Sequence, residues 1–147
     1  MKSNFRTIAL ATLVAIASLS STLHAQTLTT GVRVNVPFSF DYGSKHFGQG
    51  VYTLNRDGEH FLVLRGNSSV ATAMIQAAWD RTPAKNSVVV FKKYGDRYFL
   101  DEISIAGAAT HIDVLQSGDE KRATRELASR GENATQVALA FLPERSN

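Results

Sequence analysis

The chain has 147 residues, of which 16 are basic and 13 acidic, and it contains no cysteine. This length suits a single domain with one hydrophobic core. The lack of cysteine excludes both a disulfide-stabilised scaffold and the lipid-modified cysteine of a bacterial lipoprotein. Because the basic residues form no stripe along the chain, we expect no nucleic-acid partner.

The first 25 residues have the pattern of an export signal. Lys2 and Arg6 form a short positive region, an apolar stretch rich in alanine and leucine follows, and residues 23–25 offer a cleavage site. The apolar stretch is shorter than the ~20 residues of a membrane-spanning helix. We therefore expect cleavage to release residues 26–147 as one β-rich domain, periplasmic or extracellular, without stable membrane insertion. Its 14 basic and 13 acidic residues leave it close to neutral.

The clearest strand is predicted at Val32–Phe40, where five apolar residues alternate with residues suited to the opposite face. Pro37 lies within this strand and lacks the N–H group that pairs with a neighbouring strand. We therefore expect the strand to lie at a sheet edge or to contain a bulge. Residues 42–50, which include three glycines, are predicted to form a loop.

A first hairpin is predicted around Asp57-Gly58, two residues that suit a type I′ turn. A two-residue turn at this position pairs Leu54 with Phe61. In this register both faces of the hairpin carry apolar side chains, as expected of a central pair of strands.

A second hairpin is predicted around Gly95-Asp96, which suits a type II′ turn with glycine first. The simplest register pairs Phe91 with Leu100 but also places Val89 against Glu102. Because an apolar residue then faces a charged one, we expect a β-bulge to correct the pairing.

Three further strands and one helix complete the predicted fold. The strands are expected near residues 70–76, 108–115 and 136–141. Residues 117–120 form a capping box and Gly131 is a suitable C-terminal stop, which predicts a surface helix between them. The chain is therefore predicted to be all-β with one short helix, as an antiparallel sandwich or small barrel of about seven or eight strands.

No catalytic motif is present in the sequence. It has no cysteine nucleophile, no G-x-S-x-G serine and no phosphate-binding glycine loop. His111 and Asp113 share a strand face through their period-two spacing, but two ligands do not make a metal site. Asp101 and Glu102 are adjacent in a strand and are expected to point to opposite faces. We therefore predict no catalytic residue, no metal and no cofactor.

Aromatic side chains are the remaining candidates for ligand binding. Trp79, Tyr94 and Tyr98 are the first candidates for a platform on which a sugar or another apolar ligand would stack. The alternative is a structural role, in which the tyrosines lie at sheet edges with their hydroxyl groups in water and Trp79 covers one end of the core.

Four short motifs connect the chain to a known group of proteins. They are VPFSF at residues 36–40, GVYT at 50–53, YGDRYFL at 94–100 and RELA at 125–128. This series resembles an uncharacterised family of small exported bacterial β-domain proteins with the pattern VPFxF, GxYT and YGDRYFL. The resemblance implies a secreted β-domain and no activity. Where such proteins usually have a proline before the second glycine of the first loop, this chain has Gln49.

The sequence favours an exported, non-enzymatic binding or structural module whose partner is an envelope component, a polymer or a protein. This hypothesis rests on the export signal and on the lack of catalytic motifs. A lipocalin-like carrier of a small apolar ligand is the first alternative, suggested by the strand count and by the tyrosine and tryptophan content. A hydrolase that uses His111 and Asp113 and an outer-membrane barrel are further alternatives.

Overall fold

The structure is a computed structural model that describes residues 31–79 and 82–143. The predicted export signal lies outside the described residues. The described ranges contain 11 β-strands and one α-helix, and no helix in them is long and apolar enough to cross a membrane. The elements are β1 (Val32–Val36), β2 (Phe40–Tyr42), β3 (Lys45–Phe47), β4 (Gly50–Asp57), β5 (Phe61–Arg65), β6 (Val70–Trp79), β7 (Val88–Tyr94), β8 (Arg97–Ser104), β9 (Thr110–Val114), α1 (Gly118–Ser129), β10 (Thr135–Ala140) and β11 (Leu142–Pro143).

The strands form one continuous and mainly antiparallel sheet, which confirms the predicted all-β class with one helix. Its order is β10-β7-β8-β9-β6-β5-β4-β1-β11. The first half of β6 pairs with β5 and its second half with β9, so β6 passes from one layer of the sheet into the other. β10 and β11 are at opposite ends of this order, yet only Phe141 separates them in the chain. The two ends of the sheet therefore meet, and the sheet curls around a shared core.

A β2–β3 hairpin takes the place of the loop predicted at residues 42–50. Its two-residue turn begins at Gly43, which has a φ of 60°. The predicted strand Val32–Phe40 is divided, because Pro37 ends β1 and pairing resumes only in β2. β1 is not an edge strand, since it lies between β4 and β11. Strands of three residues are too short to show alternation, so the sequence does not predict the hairpin.

The β4–β5 hairpin has a different register from the predicted one. Leu54 lies opposite Leu64 rather than Phe61, because the turn consists of residues 58–60 instead of Asp57-Gly58 alone. A shift by an odd number of residues exchanges the two faces of a strand. Leu64 is therefore buried in the core, whereas Phe61 is exposed on the outer face.

The β7–β8 hairpin confirms both the predicted register and the predicted bulge. Phe91 lies opposite Leu100, and Asp101 is the extra residue that shifts the pairing beyond this point. Val89 consequently faces Ile103, and both side chains are buried. Without the bulge, a glutamate would lie opposite Val89, so the bulge keeps a charge out of the core.

Helix α1 lies where the capping signals predict it. The Ser117 hydroxyl accepts a hydrogen bond from the Glu120 N–H at 3.1 Å, and Gly131 follows the helix with a φ of 71°. A small apolar cluster holds the helix against the outer face of β7 and β8. Its buried members are Tyr94, Phe99, Ala123 and Leu127.

The β2–β3 hairpin inserts aromatic side chains into the core. The centroid of the Phe40 ring lies 5.1 Å from that of the Tyr52 ring and 5.2 Å from that of the Phe91 ring. Both contacts are edge-to-face. The Tyr42 hydroxyl donates a hydrogen bond to the Leu62 carbonyl at 2.5 Å. Burial raises the pKa of Tyr42 well above its ordinary value, so the hydroxyl stays neutral and remains a donor. The hairpin is therefore fastened to the interior of the sheet.

Gly66 provides a test of this packing, because the Tyr52 ring lies directly against its backbone. A Cβ atom at Gly66 would be 2.7 Å from Tyr52 Cε1. We expect Gly66→Ala to lower the free energy of unfolding by about 1–3 kcal/mol, the usual range for an overpacked core. Urea denaturation followed by circular dichroism measures this change.

Gly48→Ala is the matched control, since a Cβ atom there would meet no atom within 4 Å. We expect it to change the free energy of unfolding by less than about 1 kcal/mol. Equal destabilisation by the two substitutions would contradict the proposed contact between Gly66 and Tyr52.

Candidate functional site

The three aromatic residues predicted to bind a ligand do not share a surface. Trp79 ends β6 and is 82% exposed, Tyr94 is buried beneath α1, and Tyr98 is half-buried with its ring stacked on Phe38 at 4.2 Å. Trp79 lies opposite Thr110, whose neighbour His111 pairs with Ser104 at the end of β8. Tyr98 is the second residue of β8 and therefore lies at the opposite end of that strand. These side chains therefore do not assemble the predicted platform.

Tyr94 joins the start of α1 to β7. Its hydroxyl donates a hydrogen bond to Glu120 Oε1 at 3.0 Å and accepts one from Gln116 Nε2 at 3.5 Å. Glu120 is only 3% exposed, although it carries a carboxyl group. Burial raises the pKa of Glu120 more than the hydrogen bond from Tyr94 lowers it, and burial also raises the pKa of Tyr94. The role of Tyr94 in the described structure is thus to hold the helix.

An open cleft of about 380 Å³ lies beside the β2–β3 hairpin. Its walls come from this hairpin with the preceding Ser39, from the β7–β8 turn with Arg97 and Tyr98, and from the start of α1, which contributes Asp119. Three elements that are distant in the sequence therefore meet at this cleft. It combines charged, hydroxyl-bearing and aromatic side chains, as binding sites for small polar groups do.

Asp41 is the centre of the polar contacts in the cleft. Its Oδ1 is hydrogen-bonded to His46 Nδ1 at 2.8 Å, and its Oδ2 accepts hydrogen bonds from Arg97 Nε at 3.1 Å and Nη2 at 2.8 Å. The Asp41 side chain is 12% exposed, whereas that of His46 is 69% exposed and that of Arg97 45%. A nearly buried carboxylate therefore holds two exposed donor groups in defined positions.

Strand geometry explains this arrangement. Asp41 and His46 are direct partners in the β2–β3 ladder, so their side chains lie on the same face. Asp41 also pairs in parallel with Phe99 of β8, two residues beyond Arg97. The Arg97 guanidinium lies 4.9 Å from the Phe99 ring, which helps to orient it. Because both chain neighbours of Asp41 are buried in the core, its side chain points outward to the cleft.

The cleft carries charges of both signs. Lys45 and Arg97 provide positive charges, and Asp41, Asp96 and Asp119 provide negative ones. A ligand with a large net charge would meet repulsion from one of these sets, whereas hydroxyl and amide groups would find both donors and acceptors. The arrangement thus suits a polar ligand with a low net charge.

A second polar cluster lies on the outer face of β8 and β9. One possible ligand atom from each of Glu102, His111 and Asp113 lies within 4.8 Å of the other two. The shared face of His111 and Asp113 is confirmed, and Glu102 joins them from the neighbouring strand. The prediction that Asp101 and Glu102 point to opposite faces is wrong, because the bulge turns both of them outward.

Sequence reasoning does not find the Asp41 contacts or the position of Glu102. The turn at Gly43 is a signal for the pairing of Asp41 with His46, but the strands around it are too short to predict. Arg97 is 56 positions from Asp41, and their contact depends on the parallel pairing of β2 with β8. That pairing leaves no pattern in the sequence.

Comparisons with known protein families, with curated proteins and with solved structures give no match for this chain. The resemblance to the family of exported β-domain proteins stays a prediction.

The buried carboxyl of Glu120 predicts a pH dependence of folding stability. Because burial raises its pKa in the folded protein, protonation favours the fold. The stabilisation of the fold by the protonated carboxyl is fully present below the pKa of glutamate in an unfolded chain, about 4.3. It is lost as the pH rises through the higher pKa of Glu120 in the folded protein. Glu120→Gln stays neutral at every pH. We therefore expect the free energy of unfolding of the Glu120→Gln variant, relative to that of the wild type, to be higher at about pH 7 than at about pH 4.

Urea denaturation at both pH values measures this effect. Glu126→Gln removes an exposed carboxylate from the same helix and serves as the control. A stability difference between Glu120→Gln and the wild type that is the same at both pH values would contradict the argument.

Proposed function

We propose that this protein is an exported, non-enzymatic binding module whose cleft holds a polar polymer segment of low net charge, such as a stretch of envelope polysaccharide. The observation that carries this proposal is the nearly buried Asp41 carboxylate, which holds His46 Nδ1 and Arg97 Nη2 at 2.8 Å each. The export pattern of the first 25 residues and the near-neutral charge of the remaining chain support the same conclusion.

The polar side chains of the cleft are held in place before a ligand arrives. Phe40 and Tyr42 are buried on either side of Asp41, so the backbone at Asp41 cannot move without disturbing the core. Asp41 in turn holds the His46 ring and the Arg97 guanidinium. Groups fixed in this way lose little conformational entropy when a ligand binds, which favours recognition of uncharged hydroxyl groups.

The surroundings of Asp41 favour binding over catalysis. In an Asp–His pair that activates a nucleophile, the carboxylate stabilises the positive charge that develops on the imidazole. Here Asp41 is not dedicated to His46, because its Oδ2 accepts two hydrogen bonds from the guanidinium of Arg97. The sequence also contains no G-x-S-x-G serine and no cysteine nucleophile.

The interior of the sheet gives no support to the lipocalin-like alternative. A carrier of that kind needs an enclosed space between its strands. Large side chains with less than 2% exposure fill the interior of this sheet: Phe40, Tyr42, Leu54, Leu64, Phe91 and Ile103.

A polysaccharide screen followed by one substitution tests the proposal. The purified protein is applied to an array of envelope polysaccharides, and isothermal titration calorimetry measures the affinity for the polymer that it binds. His46→Ala removes an exposed hydrogen-bonding ring and leaves the Asp41–Arg97 pair intact. We expect the affinity to fall about tenfold, because one hydrogen bond contributes about 1–1.5 kcal/mol.

His60→Ala is the matched control, since it removes an exposed histidine from the β4–β5 turn, away from the cleft. It should bind as tightly as the wild type. Undiminished binding by His46→Ala would place the ligand elsewhere. Binding of strongly charged polymers alone, or turnover of any polymer, would contradict the proposed ligand class or the non-enzymatic role.

A further inference from the structure

The outer face of β8 and β9 brings together one imidazole and two carboxylates. Glu102 lies directly opposite Asp113 in the antiparallel ladder, and Ser104 lies directly opposite His111. Because side chains two residues apart share a strand face, Glu102 and both members of the His111-x-Asp113 pair project to the same side. His111 and Asp113 belong to β9, which pairs with a strand on each side, and Glu102 belongs to β8, so the paired backbone holds all three in place.

The distances between these groups match those around a metal ion. His111 Nε2 lies 3.2 Å from Asp113 Oδ1. Two ligand atoms bound tetrahedrally to zinc, each at its usual distance from the ion, lie about 3.3 Å apart. One carboxylate oxygen of Glu102 lies within 4.8 Å of a ligand atom of each of the other two residues. A three-ligand set would be complete if the Glu102 side chain turned toward the other two groups.

The charges of the cluster also favour a bound cation. Two carboxylates that lie directly opposite each other on neighbouring strands repel, which destabilises the sheet. The side chain of Asp113 is 33% exposed, so water screens this repulsion only in part. A divalent cation between Glu102 and Asp113 would turn the repulsion into attraction, and the neighbouring imidazole would supply the third bond.

Each carboxylate also has a second polar contact that orients it. The Ser104 hydroxyl donates a hydrogen bond to Glu102 Oε1, and Gln76 Nε2 donates one to Asp113 Oδ2 at 3.4 Å. Hydrogen bonds of this kind fix metal-binding carboxylates in many sites. The second oxygen of Asp113, Oδ1, is the one that faces His111.

We propose that Glu102, His111 and Asp113 bind one divalent transition-metal ion of the zinc class. An imidazole with two carboxylates is a set that zinc accepts, whereas magnesium and calcium prefer oxygen ligands alone. Three protein ligands leave one coordination position for water or for a donor group of a bound partner. This site is separate from the Asp41 cleft and does not depend on the function proposed for that cleft.

Metal titration of the purified protein tests this proposal. Competition with a chromophoric chelator should reveal one equivalent of bound Zn²⁺, and Co²⁺ should give the visible absorption of a low-symmetry, four- or five-coordinate site. Glu102→Gln and Asp113→Asn preserve the shape of each side chain, and we expect each to weaken Zn²⁺ binding at least tenfold. His111→Ala should weaken it at least as much, and circular dichroism verifies that each variant is folded.

His46→Ala and His60→Ala are the controls, because each removes a histidine outside the cluster. Both should bind Zn²⁺ as the wild type does. The proposal is overturned if the wild type shows no saturable Zn²⁺ binding, if Ca²⁺ or Mg²⁺ binds more tightly than Zn²⁺, or if the cluster variants bind Zn²⁺ as the wild type does.

Discussion

The cleft depends on the packing of the β2–β3 hairpin into the curled sheet. The strand β2 is only three residues long, and both faces of it are used. Phe40 and Tyr42 fill the interior, and Asp41 between them is turned outward. Phe40 contacts aromatic rings from β4 and β7, and Tyr42 donates a hydrogen bond to the backbone of β5. Because strand side chains alternate, burial of the two aromatic residues determines the direction of the carboxylate. The positions of His46 and Arg97 follow from that direction.

A single extra residue has a comparable effect in β8. The bulge at Asp101 allows Leu100 and Ile103 to be buried together, although three positions separate them and strict alternation would expose one of them. The same bulge places Glu102 on the outer face beside Asp113. The requirement to fill the core thus also creates the cluster of carboxylates and imidazole, so one backbone irregularity serves both the core and the second polar site.

Parts of the fold could be predicted wherever the signal is local. The β7–β8 hairpin was predictable in register because a glycine turn and the flanking apolar residues agree, and the mismatch at Val89 indicated a bulge. The capping box at Ser117 and the stop at Gly131 marked the ends of the helix, because the residues that cap a helix are adjacent to it in sequence. The register predicted for β4–β5 is wrong because the sequence around Asp57-Gly58 allows either a two-residue or a three-residue turn. The packing of the core determines which of the two turns forms.

The sequence by itself determined the all-β class, the helix, the second hairpin and the residue types available for binding, because alternation, turn chemistry and capping act over a few neighbouring positions. Only the tertiary structure decided which of those residues meet. It separated Trp79, Tyr94 and Tyr98, and it joined Asp41 to Arg97 across 56 positions. Contacts of this kind arise from strand order and from the register that fills the core, and these depend on the packing of the whole chain.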